Sequence, residues 1–379
     1  MADPAVTGFP GVGYVAFATG PRVSRYVSAR IGGPWEHLDA ALPYDAVPAW
    51  MRQPDGSHTA ATIWAPEIVH DTAFGRDRWL LYYAAIPRPG LRGGNPSYRC
   101  ISVAVASDPL GDFDTPRSLQ RAPLYCLPGS PGIIDPSVLQ VGNDAYLLYK
   151  TRSLPARLRI AQLTRDRLGL VPGSQRDLVS DATDVIENPV IQQFGNRFVL
   201  FASHGHYRSC RYRTDYWVAG RGLQFQGPAR TLLSHDGRGR RTSVCGPGGA
   251  DIVGPPHHRV LVFHGTLVSR GARWVPGIRD DADVRTLYGV NLTFNHRLDR
   301  PMLGTWLQRV PPKRPSAQRL KPMLPRAGTG RSPSQAAPRA PGASRLSATP
   351  APAAAAGAGA GAEAAAPAPA QTTAVGKKE

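Results

Sequence analysis

Three acidic residues stand in short apolar segments marked by proline: Asp3 in Ala2-Asp3-Pro4, Asp135 in Ile134-Asp135-Pro136, and Glu187 in Ile186-Glu187-Asn188-Pro189. Brought to one place, such carboxyl groups can do work that none does alone. A protonated one can donate to a leaving oxygen, while an ionised one activates water or attacks carbon. That pair is the minimal equipment for cleaving a glycosidic bond. A third carboxylate beside the acid holds the acid's pKa up by like-charge repulsion. Other chemistries lack a foothold. There is no Gly-x-Ser-x-Gly elbow, no Walker loop and no Rossmann glycine pattern. Cys100, Cys126, Cys210 and Cys245 form no C-x-x-C pair, so a zinc ribbon or thioredoxin-like site is not expected. Two disulfides in any of three pairings, or four thiols, both remain open.

Residues this far apart in sequence must be gathered by the fold. The chain has 379 residues, 42% hydrophobic and 19% charged, with 40 Gly and 38 Pro. That Gly and Pro load excludes bundles and coiled coils, since Pro removes a helix donor and Gly costs backbone entropy. No apolar run reaches the length of a membrane span. Short β-branched and aromatic runs recur between turn residues, as in Arg78-Trp-Leu-Leu-Tyr-Tyr-Ala84, Ala145-Tyr-Leu-Leu-Tyr-Lys150 and Arg197-Phe-Val-Leu-Phe-Ala-Ser203. Their length and boundaries predict an all-β protein.

A longer rhythm lies above the strands. Five openers, at Asp3, at Trp64-Ala65-Pro66-Glu67, at Asp135, at Glu187 and at Gly248-Gly249-Ala250-Asp251, each precede a strand core by about 10 to 15 residues. This self-similarity predicts a five-bladed β-propeller over residues 1–310, with the openers converging on its axis. Residues 311–379 are Pro, Ala, Gly, Ser and Arg, and are expected to be a disordered tail.

The net charge of +18 is spread over scattered arginines, so no specific nucleic-acid partner is expected. Met1-Ala2-Asp3-Pro4 carries neither a basic n-region nor an apolar h-region. The expected location is therefore intracellular, unless the start lies upstream. A monomer is expected.

The same residues carry a resemblance. The pattern over 1–310 resembles glycoside hydrolase family 43, a family of five-bladed propellers that hydrolyse arabinose- and xylose-containing glycans with inversion. Trp64-Ala65-Pro66-Glu67 is similar to that family's Trp-Ala-Pro-acid signature, the most specific motif here. The segment Ser102–Phe113 resembles its strand and turn. The resemblance implies that Asp3 is the general base, Glu187 the general acid and Asp135 the modulator of the acid's pKa. It implies an oligo- or polysaccharide substrate with α-L-arabinofuranosyl or β-D-xylosyl linkages. No cofactor is required for the chemistry. His264, in Phe263-His264-Gly265, resembles the axial histidine that in many members helps hold a metal ion, with a structural Ca²⁺ the expected ion. Arg285 resembles a substrate-pocket arginine; it would stabilise ionised Asp135 or hold a substrate hydroxyl.

Other readings stand beside these. Trp64 serves either core packing or a sugar's apolar face, His264 is either a core histidine or a ligand, and Arg285 is either a pocket residue or a simple surface arginine. Glu67 is expected to be structural. His206, with His204 and Tyr207, follows a blade IV strand and is expected to line the pocket. For the whole chain, a carbohydrate-binding propeller without turnover, a basic anion-binding propeller and a retaining fructan-type hydrolase are the alternatives.

Overall fold

A computed structural model describes residues 1–52, 63–91, 95, 97–128, 130–266 and 285–308. The chain divides into two units, Met1–Ala317 and Gln318–Glu379. The expected tail, 311–379, lies outside the described residues.

Five sheets follow one another along the chain. Blade I holds β1 (Ala5–Phe9), β2 (Gly13–Ala18), β3 (Ser24–Ser28) and β4 (Glu36–Leu38). Blade II holds β5 (Trp64–Asp71), β6 (Arg78–Ala85) and β7 (Cys100–Ala106). Blade III holds β8 (Ile133–Val141), β9 (Asp144–Thr151), β10 (Ala156–Gln162) and β11 (Arg176–Asp181). Blade IV holds β12 (Ile186–Phe194), β13 (Arg197–His204), β14 (Arg213–Ala219), β15 (Arg230–Ser234) and a short β16 (Arg240–Arg241). Blade V holds β17 (Cys245–Val253), β18 (Arg259–Thr266), β19 (Arg285–Asn295) and β20 (Arg300–Trp306). Pairing is antiparallel throughout, except that β16 runs parallel to β15. Among the described residues the only helices are short 3₁₀ turns.

The five innermost strands touch in the order β1, β5, β8, β12, β17 and back to β1, so the ring closes. This is the five-bladed propeller that the openers predict. Two hairpins show the local chemistry. The turns Gly142-Asn143 and Gly195-Asn196 join β8 to β9 and β12 to β13, and each places glycine at positive φ (58° and 62°) as a two-residue hairpin requires.

The apolar core is divided. Separate buried clusters fill the five spaces between adjacent blades, for example Phe17, Trp50, Trp79 and Phe113 between blades I and II, and Phe201, Leu233, Phe263 and Val290 between IV and V. The second strand of each blade is apolar along most of its length because it packs against a blade on either side. β6 is buried at every residue after Arg78. The axis itself is left to polar groups.

Candidate active site

Each inner strand carries one kink. Asp3, Ala65, Asp135, Asn188 and Gly249 occupy equivalent places in the five blades, and all have φ between 43° and 58°. The left-handed region is costly for residues with a Cβ and is held here by surrounding structure. In β5, β8, β12 and β17 the pairing register slips across this point. The bulge turns the backbone toward the axis. A small cavity there is lined by Asp3, Ala65, Asp135, Asn188, Gly249 and their neighbours. Asp3 and Asp135 therefore share one blade position. Glu187 stands one residue earlier in its blade, level with Trp64, and Asn188 takes the kink itself.

Asp3 is well anchored despite standing third in the chain. Thr19 Oγ1 donates to its Oδ2 (2.7 Å), its own N–H donates to His264 Nδ1 (3.0 Å), and the Met1 ammonium donates to the carbonyl of Arg285 (2.5 Å). Arg285 Nη1 lies 3.5 Å from Asp3 Oδ1, and the two side chains are each 18% exposed. Burial pushes the Asp3 carboxyl up, but Arg285, His264, Thr19 and Asn188 together hold it below its ordinary value. The carboxylate beside Arg285 is thus Asp3, whereas the sequence offered it Asp135, a substrate hydroxyl or the surface. Its guanidinium also lies over the Tyr207 ring, at 5.0 Å.

Asp135 has the opposite environment. Burial, then the neighbouring Glu187, push its carboxyl up to about 7, against which Lys150 acts in the other direction. Its Oδ2 accepts from the Asn188 N–H at 3.0 Å. Glu187 receives two donors, Lys150 Nζ at Oε2 (2.8 Å) and Tyr212 Oη at Oε1 (2.9 Å). Burial pushes the Tyr212 hydroxyl well up, so it remains a donor. Asn188 Nδ2 in turn donates to Tyr212 Oη (3.2 Å). One asparagine therefore contacts Asp135 directly and Glu187 through Tyr212. Of this carboxyl pair it is Asp135 that is pushed up.

Blade V gives up its side chain at the kink so that a ring can enter. A Cβ on Gly249 would come within 2.5 Å of the His264 ring, and one on Gly248 within 2.2 Å of Tyr212. The Tyr212 and His264 rings stack, 5.8 Å apart and 7° from parallel. His264 is 1% exposed, and burial lowers its pKa to about 3, so it is neutral. Because Nδ1 accepts from Asp3, the ring proton belongs on Nε2, a buried atom with no hydrogen-bond partner. In that tautomer the ring's one lone pair, on Nδ1, is occupied by the Asp3 N–H, and the described residues contain no group of three ligating side chains, so no step is derived through a metal.

The remaining candidates are placed as follows. Trp64 has the Arg99 guanidinium 3.3 Å from its ring centroid and Arg152 at 5.7 Å. His206 is exposed, its ring against Tyr207, so that Tyr207 and not His206 reaches Arg285. His204 pairs with Asp215 (3.0 Å), away from the axial carboxyls. Glu67 accepts from Val138 N–H (3.1 Å) and Asp251 from Val6 N–H (2.8 Å), so both clasp adjacent blades. Cys100 bonds Cys126 and Cys210 bonds Cys245. The second bond fastens the loop carrying Tyr207 and Tyr212 to the start of β17. Lys150, Tyr212 and Thr19 escape sequence reasoning. Only Lys150 leaves a signal, as a lysine ending the buried run of β9.

No curated protein matches the sequence. Solved structures match the fold. A thermostable family-43 glycoside hydrolase superposes with a TM-score of 0.60 at 19% identity, covering 82% of this chain and 95% of its own. An endo-1,4-β-xylanase from Bacteroides thetaiotaomicron gives 0.57 at 18%, with 81% and 95% covered. The Cellvibrio cellulosa α-L-arabinanase bound to arabinohexaose gives 0.55 at 19%, with 80% and 95% covered. The family model for glycosyl hydrolases family 43 matches residues 33–276. With that match over most of the propeller and an axial group of carboxyls to receive it, the chain belongs to glycosyl hydrolases family 43 and is a glycosidase.

Proposed function

We propose that the protein hydrolyses α-L-arabinofuranosyl or β-D-xylosyl linkages by a single displacement with inversion. One observation carries this reading: two aspartates at the same blade position are driven to opposite protonation states by their surroundings. Asp3, held ionised by Arg285, His264, Thr19 and Asn188, is suited to take a proton from water. Glu187, from blade IV, delivers a proton to the leaving oxygen. In the resting arrangement it accepts from Lys150 and Tyr212, so it must acquire that proton before turnover. Asp135, pushed up to about 7 by burial and by Glu187, shares one electrostatic environment with Glu187, so the protonation of either carboxyl bears on that of the other. Inversion needs the base and acid about 6.5–9.5 Å apart to admit the water.

The test is hydrolysis of 4-nitrophenyl α-L-arabinofuranoside and β-D-xyloside by the wild type, Asp3→Asn and Glu187→Gln, with the product anomer followed by proton NMR. Loss of turnover in both variants and an inverted anomer are expected. A retained anomer would instead make Asp3 a nucleophile. Sugar binding without product, unchanged by Glu187→Gln and repeated on arabinan and xylan, would replace the enzyme reading with a binding propeller.

A further inference from the structure

Two arginines gather beside Trp64, and among the described residues no carboxylate pairs with either at contact distance. Trp64 and Glu187 open the inner strands of blades II and IV at the same blade position. Arg99 lies flat against Trp64, and Arg152 approaches the same ring. Arg99 is 4% exposed, and its Nε is buried without a partner. Among the described residues neither arginine is ion-paired to a carboxylate at contact distance; Arg152 donates to the carbonyl of Ser97. The acids that act on Arg152 are Asp135 and Glu187. Both are already engaged, Asp135 by the Asn188 N–H and Glu187 by Lys150 and Tyr212. Burial, then the charge of Arg152, push the Arg99 guanidinium down to about 9.

Burying an unpaired guanidinium is costly, and stacking on an indole face recovers only part of that cost. An oxyanion between the two would recover more. Guanidinium groups present planar donor forks that match carboxylate and phosphate oxygens. No step of the proposed hydrolysis uses either arginine.

Building on the hydrolase reading, we propose that Arg99 and Arg152 form, on Trp64, a subsite for an oxyanion carried by the glycan, a uronic acid carboxylate or a phosphate ester. The preferred substrate is then an acidic glycan whose charged substituent lies next to the scissile bond. Trp64, packed against the apolar cluster between blades II and III, holds the Arg99 fork in position.

The test uses the full chain and a pair of xylo-oligosaccharides that differ by one glucuronosyl branch. Sodium glucuronate, inorganic phosphate and xylose are titrated by calorimetry in parallel. The variant is Arg152→Gln, because Arg152 is partly exposed; Arg99→Lys, which keeps charge but loses the fork, is the second. The wild type is expected to prefer the branched substrate by about tenfold or more in kcat/KM, the worth of one charge-assisted contact. Arg152→Gln should bring that ratio close to one and weaken glucuronate binding. Tighter binding of phosphate than of glucuronate, lost in the same variant, would assign the subsite to phosphorylated glycans. The proposal is overturned if neither anion binds better than xylose and the ratio is unchanged in Arg152→Gln. If neither oligosaccharide is cleaved while anion binding is still lost in the variant, the subsite stands and the hydrolase reading falls.

Discussion

Asp135→Asn should make the protein more stable and less active, and the gain should depend on pH. Asparagine has the shape of aspartate, keeps an oxygen to accept the Asn188 N–H, and tolerates the φ of 57° found there. What it removes is a charge. Burial and Glu187 raise the Asp135 carboxyl from 3.8 to about 7 in the folded protein. Between those values the native state holds a proton that the unfolded chain has lost. The unfolded state binds fewer protons, so stability falls as pH rises through this window and levels off above it. Each pKa unit is worth about 1.4 kcal/mol. The wild type therefore carries a penalty of a few kcal/mol at pH 8, roughly half of it or less at pH 5, that asparagine lacks. Urea unfolding of both proteins at pH 5 and pH 8 reads the difference directly. The variant should be the more stable at pH 8, with the gap shrinking toward pH 5, while hydrolysis falls. A variant equally stable at both pH values, or one whose advantage grows in acid, would refute the reasoning that Asp135 is held protonated by its site.

Three further outcomes are expected. Lys150→Met leaves Glu187 without its cation in a mostly buried pair, which should cost ~3 kcal/mol in thermal or urea unfolding. It should also move the Asp135 titration above about 7, since Lys150 opposes the upward push; carboxyl carbon NMR would follow it. Asn188→Ala should lose ~1–2 kcal/mol from strain at φ 50° and slow hydrolysis by removing the contact to Tyr212. Asn188→Gly should restore the stability and not the rate. Cleaving Cys210–Cys245, as Cys210→Ser with Cys245→Ser, should lower stability by ~3 kcal/mol and reduce kcat by freeing the Tyr207–Tyr212 loop, whereas Cys100→Ser with Cys126→Ser should leave that loop in place.

The elements of the fold were legible because each blade repeats a local signal. A left-handed residue before proline starts the inner strand at Asp3, Ala65, Asp135 and Asn188, and Pro forbids a helix from continuing through it. The apolar runs of β6, β9 and β13 read as strands because packing on both faces asks for apolar residues throughout. What stayed hidden comes from residues that arrive through space. Tyr212 reaches Glu187 from a disulfide-held loop after β13, and Lys150 reaches it from the next blade. Neither the pairing of the four cysteines nor the partner of Arg285 has a local cause that sequence could express. The one-residue offset of Glu187 was visible as Glu-Asn-Pro against Asp-Pro, yet its meaning depends on the register slip of β12.

That division also explains how a repeating backbone produces unlike groups. The kinks of blades I and III deliver Asp3 and Asp135 to the axis by the same geometry, so position alone cannot make the two carboxyls differ. The distinction comes from parts that do not repeat. Asp3 meets Arg285, His264 and Thr19, drawn from blades V and I, and stays ionised. Asp135 meets another carboxylate and is pushed toward neutrality. Blade II places alanine at its kink and blade V glycine, where Gly249 makes room for His264. Because the apolar cores lie between blades, these substitutions at the axis disturb little packing. The ring can therefore hold its shape while the axis is fitted to a reaction.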